Sequence, residues 1–255
     1  MKMLKKLYEK SEILFAVAWI VAYCVLMSVG DSLSALVGVE KSVTLPIGLL
    51  LSGVLLLFLK REGFFKKYGL CRGGASPGSM LFYIPVLVML SANLWHGFAL
   101  NFSILETILY ILAMFCVGFL EEIIFRGLLF SAMRKDNLTV AVIVSALTFG
   151  IGHIINLFNG SGADLLANLL QVVYASAAGF MFVMMFCKEK SLVTCIAAHG
   201  VFNALSAFSN EASLTNGGRI TVCVLLTLIT GSYAVYLAFS IKGNTDESNK
   251  VNQNN

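Results

Sequence analysis

Long apolar runs, separated by short polar segments, constrain this sequence more than any other feature. Eight runs lie near residues 13–30, 43–59, 80–95, 105–133, 138–155, 164–187, 191–208 and 219–241. None shows the alternation of apolar and polar residues that a membrane β-barrel strand requires. Every backbone polar group needs a partner in lipid, and helices supply those partners within each run. The sequence therefore predicts an all-α, polytopic membrane bundle of about eight transmembrane helices.

The composition supports a lipid environment. Hydrophobic residues make up 58% of the 255 residues and charged residues only 13%, which is too little charge for the surface of a water-soluble domain of this length. The net charge of +4 is spread over short loops rather than gathered on one soluble face, so a nucleic-acid partner is not predicted. The six cysteines include no CxxC pair, and we interpret them as reduced thiols.

Lys and Arg residues fall in alternate connecting segments. Fifteen of the 18 basic residues lie in the N-terminal segment, the second, fourth and sixth loops and the C-terminal tail. Basic residues stay on the cytoplasmic side of a membrane, so both termini are predicted to be cytosolic. The first run needs to span for this alternation to hold, and we interpret it as an anchor rather than a signal peptide. Residues 1–242 are predicted to form one transmembrane domain, followed by a disordered cytosolic tail at 243–255.

Apart from the first and last two residues of each run, five Asp, Glu, Lys, Arg or His residues lie inside the apolar runs. They are Glu121, Glu122, Arg126, His153 and His199. A charge at the centre of a bilayer costs about 2.5–3.5 kcal/mol on insertion scales, so such residues usually face a protein interior and serve a function. The sequence therefore places its candidate functional site within the membrane.

The spacing of these residues assigns them different roles. Glu122 and Arg126 are four residues apart, so they share a helix face and can pair. Glu121 points about 100° away from Glu122, which leaves one carboxylate for chemistry as a general base. Phe149 and His153 share a face of the fifth run in the same way. His199 and Asn203 share a face of the seventh, where an imidazole and an amide can offer hydrogen-bond donors.

The three helices carry these residues to a similar depth. From the cytosolic ends of the runs, Glu121, His153 and Asn203 lie about 20, 22 and 20 Å along their helices at 1.5 Å per residue, and His199 about 14 Å. A structural interpretation of each residue alone remains open, since a Glu–Arg pair, a buried histidine or an asparagine can simply join helices. Their shared depth favours one common site.

The three motifs resemble the signature of the CPBP family, which comprises CAAX prenyl proteases and bacteriocin-processing or immunity (Abi) proteins. That signature is EExxxR, FxxxH and HxxxN or HxxxD. It is matched here by Glu121-Glu122 with Arg126, by Phe149 with His153, and by His199 with Asn203, within a motif-bearing core at about 105–208. The resemblance implies an eight-helix intramembrane endopeptidase with a cavity open toward the cytosol.

The resemblance also implies roles for the residues. Glu121 would activate a water that His153 helps to hold, and His199 and Asn203 would stabilise the oxyanion. Glu122, Arg126 and Phe149 would be structural supports. No organic cofactor is implied. A zinc ion held by Glu121, His153 and His199 also fits the residue types, although no HExxH motif is present, so a metal-independent and a zinc-dependent mechanism both stay open.

Three functions follow from these residues. The first is cleavage of a membrane-anchored or amphipathic peptide near the cytosolic side, in peptide maturation, bacteriocin self-immunity or regulated proteolysis. The second is a non-catalytic membrane binding or immunity protein. The third is an ion-coupled transporter, since buried Glu and His also form proton relays. The transporter is disfavoured because the sequence has no evident internal repeat. The partners expected are membrane lipid and the peptide substrate.

Overall fold

The fold was analysed in a computed structural model that describes residues 1–73, 83–158 and 164–253. The described residues form helices and contain no β-strand, apart from a single bridge between Phe98 and Ser209. The helices are α1 (Lys2–Lys10), α2 (Glu12–Val37), α3 (Thr44–Arg61), α4 (Ile84–Ser91), α5 (Ile104–Met133), α6 (Leu138–Gly152), α7 (Leu165–Glu189), α8 (Val193–Leu205) and α9 (Asn216–Gln253).

Local sequence signals mark where several helices begin. Ser11 accepts a hydrogen bond from the backbone N–H of Leu14 and separates α1 from α2. Ser103 and Glu106 form a reciprocal capping box at the start of α5. Such caps satisfy backbone donors that have no partner within the helix. The separate helix α1 is a feature that the apolar runs alone did not predict.

The predicted transmembrane bundle is confirmed. Six helices of the described residues are long and apolar enough to cross a membrane, and the longest of these candidate spans, Ile104–Met133, coincides with the longest apolar run of the sequence. Two shorter apolar helices, Ile84–Leu94 and Val193–Phe208, occupy the places of the predicted third and seventh spans. Residues 80–82 of the predicted third span lie outside the described residues. Large apolar side chains along the outside of α2, such as Leu14, Val21 and Val25, are exposed, as expected of a surface that faces lipid.

The second half of α5 lies at the centre of the bundle. Every residue of Glu122–Phe130 is buried, and this segment packs against α2, α6 and α7. Helix α8 packs along the first half of α5, and α7 packs between α6 and α9. The candidate residues on α5, α6 and α8 therefore belong to helices that meet around one core.

The last helix continues beyond the apolar run. Its backbone is helical to Gln253, through most of the segment for which the sequence predicts disorder, and residues 254–255 lie outside the described part of the chain. A single polar helix end without packed neighbours is marginally stable in water. The disorder of 243–255 stays a prediction.

Candidate active site

Glu122 and Arg126 form the ion pair that their spacing predicts. Arg126 Nη1 donates to Glu122 Oε1 at 3.0 Å, and neither side chain is exposed. The guanidinium lies 4.1 Å from the centre of the Phe149 ring, and Arg126 Nη2 is 3.4 Å from the carbonyl oxygen of Gly179. A guanidinium gains from an aromatic face when it is removed from water. The pair thus joins α5 to α6 and α7.

The helix changes its hydrogen-bond pattern at this point. Glu121 is the last residue of the α-helical part of α5, and Glu122–Phe130 form a π-helical segment. Its hydrogen bonds run to the fifth residue rather than the fourth, a pattern that is rare and often found at functional sites. The two adjacent glutamates therefore lie at a junction between two helix types. Nothing in the local sequence EEIIFRG predicted this.

His199 lies between the two carboxylates. Its Nδ1 atom is 2.8 Å from Glu122 Oε1, and its Nε2 atom is 3.3 Å from Glu121 Oε2. The ring stacks on Phe182, with centroids 5.5 Å apart and planes 14° apart, and meets Phe149 edge-on. The sequence assigned Glu122 to Arg126 and left Glu121 without a partner. Both glutamates instead contact the same imidazole, because a neighbouring helix inserts it between them.

Glu121 also has a partner from the first long helix. The Tyr23 hydroxyl donates to Glu121 Oε1 at 2.6 Å, and only 8% of each residue is exposed. The other oxygen, Oε2, is buried and makes no hydrogen bond, although it lies 3.3 Å from His199 Nε2. Sequence analysis missed Tyr23. The available signal was a hydroxyl-bearing side chain in the middle of the first apolar run.

A cavity of about 40 Å³ adjoins this cluster. His153, His199 and Asn203 all line it, and its lining also includes Met89 of α4 and Thr230 of α9. A volume of this size is sufficient for a small number of water molecules. Glu121 is not a lining residue but contacts His199, which is one. The structure thus brings His153, His199 and Asn203 around one space and places Glu121 against the ring of His199.

His153 is oriented by the backbone. Its Nδ1 atom lies 3.0 Å from the carbonyl oxygen of Phe149, and its ring meets the Phe149 ring edge-on at 5.1 Å. A carbonyl oxygen can only accept a hydrogen bond, so Nδ1 carries the hydrogen and Nε2 of the neutral ring is an acceptor. Asn168 Nδ2 donates to the His153 carbonyl at 2.8 Å and fixes the end of α6 against α7. Phe149, predicted as a support, contacts Arg126, His153 and His199.

Glycines allow the helices to approach closely enough to form the site. A Cβ atom on Gly118 would lie 2.7 Å from the backbone nitrogen of Gly200, one residue after His199. A Cβ atom on Gly150 would lie 1.9 Å from Ser176 Oγ and 2.7 Å from its backbone nitrogen. Small residues at helix crossings permit close backbone contact in membranes. The two crossings bring α8 onto α5 and α6 onto α7.

The described residues do not fit the predicted zinc site. Among them, no group of three or more His, Cys, Asp and Glu side chains is arranged to hold a metal ion. Glu121 and His199 are in contact, but His153 does not join them in such a group, and both His199 nitrogens face carboxylate oxygens. A catalytic zinc ion normally has three protein ligands. The set of Glu121, His153 and His199 is therefore not assembled as a three-ligand site.

A family comparison bears directly on this site. The model of the family described as "Type II CAAX prenyl endopeptidase Rce1-like" matches residues 103–205. This segment is Rce1-like. The match confirms the resemblance to the CPBP family, and the Rce1-like segment contains all three motifs, from Glu121 to Asn203. It covers about two fifths of the chain and does not include Tyr23. Comparisons with curated proteins and with solved structures find no match.

The Rce1-like match and the helices agree on the class of protein. A membrane protease family matches the central part of the chain, and six helices in the described residues are suited to crossing a membrane. The chain is therefore an integral membrane protein whose central segment is similar to a protease family.

Proposed function

We propose that this protein is an intramembrane endopeptidase whose catalytic residues are Glu121, His153, His199 and Asn203. The observation that carries the proposal is the position of Glu121 Oε2. This oxygen is buried, makes no hydrogen bond, and lies 3.3 Å from His199, which itself lines the cavity together with His153 and Asn203. A buried carboxylate oxygen with no hydrogen-bond donor, in contact with an imidazole that lines a cavity, is suited to act as a general base.

In the proposed reaction, Glu121 Oε2 removes a proton from a water that enters beside His199. The water oxygen attacks the peptide carbonyl carbon, and the carbon–oxygen π electrons move to the carbonyl oxygen. When the tetrahedral intermediate collapses, the carbon–nitrogen bond breaks and the Glu121 carboxyl returns the proton to the leaving amine. No step uses a metal, since the donor set described above is not assembled for one.

His153, His199 and Asn203 act on the water and on the developing negative charge. The Nε2 atom of neutral His153 accepts a hydrogen bond and can orient the water for attack. The Asn203 amide supplies a donor near the carbonyl oxygen, where removing one oxyanion donor costs about 10²–10³ in kcat. The His199 ring is held at Nδ1 by Glu122 Oε1, lines the same cavity, and contributes through Nε2, which makes no hydrogen bond to Glu121.

The substrate proposed is a membrane-anchored or amphipathic peptide cut near the cytosolic side. The distribution of basic residues supports cytosolic termini and a cytosolic approach to the site. Peptide maturation, bacteriocin self-immunity and regulated proteolysis are the roles that suit such a peptidase. The printed name of the matching family adds prenylated CAAX peptides to the substrates to be tested.

The decisive experiment compares two glutamate variants in reconstituted vesicles. Glu121→Gln removes the base and should abolish cleavage across a fluorogenic panel of prenylated CAAX and unprenylated amphipathic peptides, with insertion and abundance intact. Glu106→Gln, on the same helix, is the matched control because glutamine preserves the capping box with Ser103. Cleavage by Glu121→Gln at the wild-type rate would contradict the assignment of Glu121 as the general base.

A second candidate function is a membrane binding or immunity protein without catalysis. The contact of both His199 nitrogens with carboxylates favours it, because a ring held on both sides is also a stable structural element. A toxin-protection assay separates the two functions. Full protection by Glu121→Gln supports binding, and loss of protection supports cleavage.

A further inference from the structure

We propose that Tyr23 is a positioning residue that determines which oxygen of Glu121 acts as the base. The inference rests on the proposed peptidase function and extends the site to a helix outside the Rce1-like segment. Tyr23 lies on α2, 98 positions before Glu121 in the chain, yet its hydroxyl makes the only hydrogen bond found for the Glu121 carboxylate among the described residues. The N-terminal helices thus contribute directly to the catalytic geometry.

The two carboxylate oxygens of Glu121 have different partners. Oε1 accepts the Tyr23 hydroxyl at 2.6 Å, and a short bond from a hydroxyl to a carboxylate is among the stronger hydrogen bonds in proteins. Oε2 makes no hydrogen bond and is the oxygen next to His199. Because Oε1 is occupied, proton transfer is directed to Oε2, the oxygen in contact with the cavity-lining ring of His199.

The surroundings of Tyr23 hold its hydroxyl in place. The ring is 8% exposed and belongs to the main hydrophobic core, and α2 packs against the π-helical segment that begins one residue after Glu121. A carboxylate at the junction of two helix types is not oriented by its own helix alone. The buried phenol supplies a second anchor from a different helix, and this anchor keeps the carboxylate from rotating away from His199.

The test compares tyrosine-to-phenylalanine substitutions at two buried positions. Tyr23→Phe keeps the ring and removes the donor, so kcat should fall about 10- to 100-fold through misplacement of the base, with KM within about twofold. Tyr68→Phe is the matched control, since Tyr68 is fully buried and its hydroxyl lies 2.9 Å from that of Tyr8, away from the cavity. Tyr68→Phe should leave kcat unchanged even if it lowers the melting temperature as much as Tyr23→Phe does.

The outcomes distinguish this inference from the function on which it rests. An unchanged kcat in Tyr23→Phe, or a rise in KM alone, overturns the positioning role, while loss of cleavage in Glu121→Gln still supports the peptidase. Cleavage by Glu121→Gln overturns the function itself. If Tyr23→Phe does not fold, 4-aminophenylalanine at position 23 keeps the ring and replaces the hydroxyl with a weaker N–H donor. A lower kcat then supports the inference, and an unchanged kcat rejects it.

Discussion

His199 Nδ1 lies 2.8 Å from Oε1 of Glu122, closer than its Nε2 atom lies to the carboxylate of the proposed base. The same Glu122 oxygen accepts from Arg126 at 3.0 Å. The glutamate that appears structural in the sequence therefore connects the central ion pair to the histidine that lines the cavity. Stability and catalysis should be linked at this oxygen.

Replacing Glu122 tests that link. Glu122→Gln leaves Arg126 as a buried charge without its partner, and breaking a buried pair from one side costs about 3–5 kcal/mol. We expect a large fall in melting temperature in detergent and loss of cleavage together. Glu121→Gln should lose cleavage with little change in melting temperature. A stable Glu122→Gln variant with normal activity would contradict the role assigned to the pair.

His153 provides a test of the water-holding role. His153→Asn retains an amide that can donate to the Phe149 carbonyl but lacks a nitrogen at the Nε2 position, so kcat should fall by about 10²-fold or more. His96, which does not line the cavity, serves as the matched control through His96→Asn. Single-turnover cleavage rates measure both variants. Equal rates for His153→Asn and wild type would exclude His153 from the reaction.

Two nearby glycines offer a test of the helix crossing. Gly150→Ala places a methyl group against Ser176 and should destabilise the fold by about 1–3 kcal/mol or more. The resulting shift of α6 should move His153 and reduce kcat. Gly152→Ala meets nothing within 4 Å and should be neutral or stabilising by up to about 1 kcal/mol. The two variants should differ clearly in melting temperature and in the rate at which they cleave a peptide. Similar values for both would contradict the close approach of α6 and α7 at Gly150.

Lys67 should make the N-terminal end of the bundle sensitive to high pH. Burial lowers the pKa of Lys67, but hydrogen bonds to Tyr8 and Glu12 and the nearby negative charge outweigh it and hold the pKa above the usual 10.5. The stabilisation is therefore complete below pH 10.5 and is lost as the pH rises through the higher folded-state pKa.

The measurement for Lys67 is the melting temperature from pH 8 to 12. Lys67→Met keeps the apolar stem and removes the charge, so it should lower stability by about 1 kcal/mol near neutral pH, because the partly exposed pair is screened by solvent. The difference from wild type should disappear at the highest pH. A difference that is independent of pH would show that packing, not charge, stabilises this end.

Local patterns were sufficient to predict the helices and part of the site. Among the described residues, the apolar runs located the six candidate membrane spans and the two shorter apolar helices. The spacing of Glu122 and Arg126 predicted their pairing, because both features depend on residues within one or two helical turns. The grouping of His153, His199 and Asn203 around one cavity followed from their shared depth. These features are encoded within single helices.

The contacts of Glu121 could not be predicted in this way. Its bond to Tyr23 joins residues 98 positions apart, and its approach to His199 depends on the close crossing at Gly118 and Gly200. Depth along a helix does not reveal which face two helices present to each other. For the same reason, residue types alone suggested a zinc set that the arrangement of the helices does not assemble.

Because Glu122–Phe130 form wider turns than an α-helix, the fold depends on the number of residues in this segment as well as on their identity. A π-helical segment accommodates a residue that an α-helix would not, so deleting one residue here, such as Ile124, would let the helix revert to regular winding. The part of α5 that follows the deletion would then rotate relative to Glu121 and separate the two neighbouring carboxylates from their partners. Substitutions elsewhere in α5 can be absorbed one side chain at a time, but a single-residue deletion in this stretch should disrupt the whole centre at once.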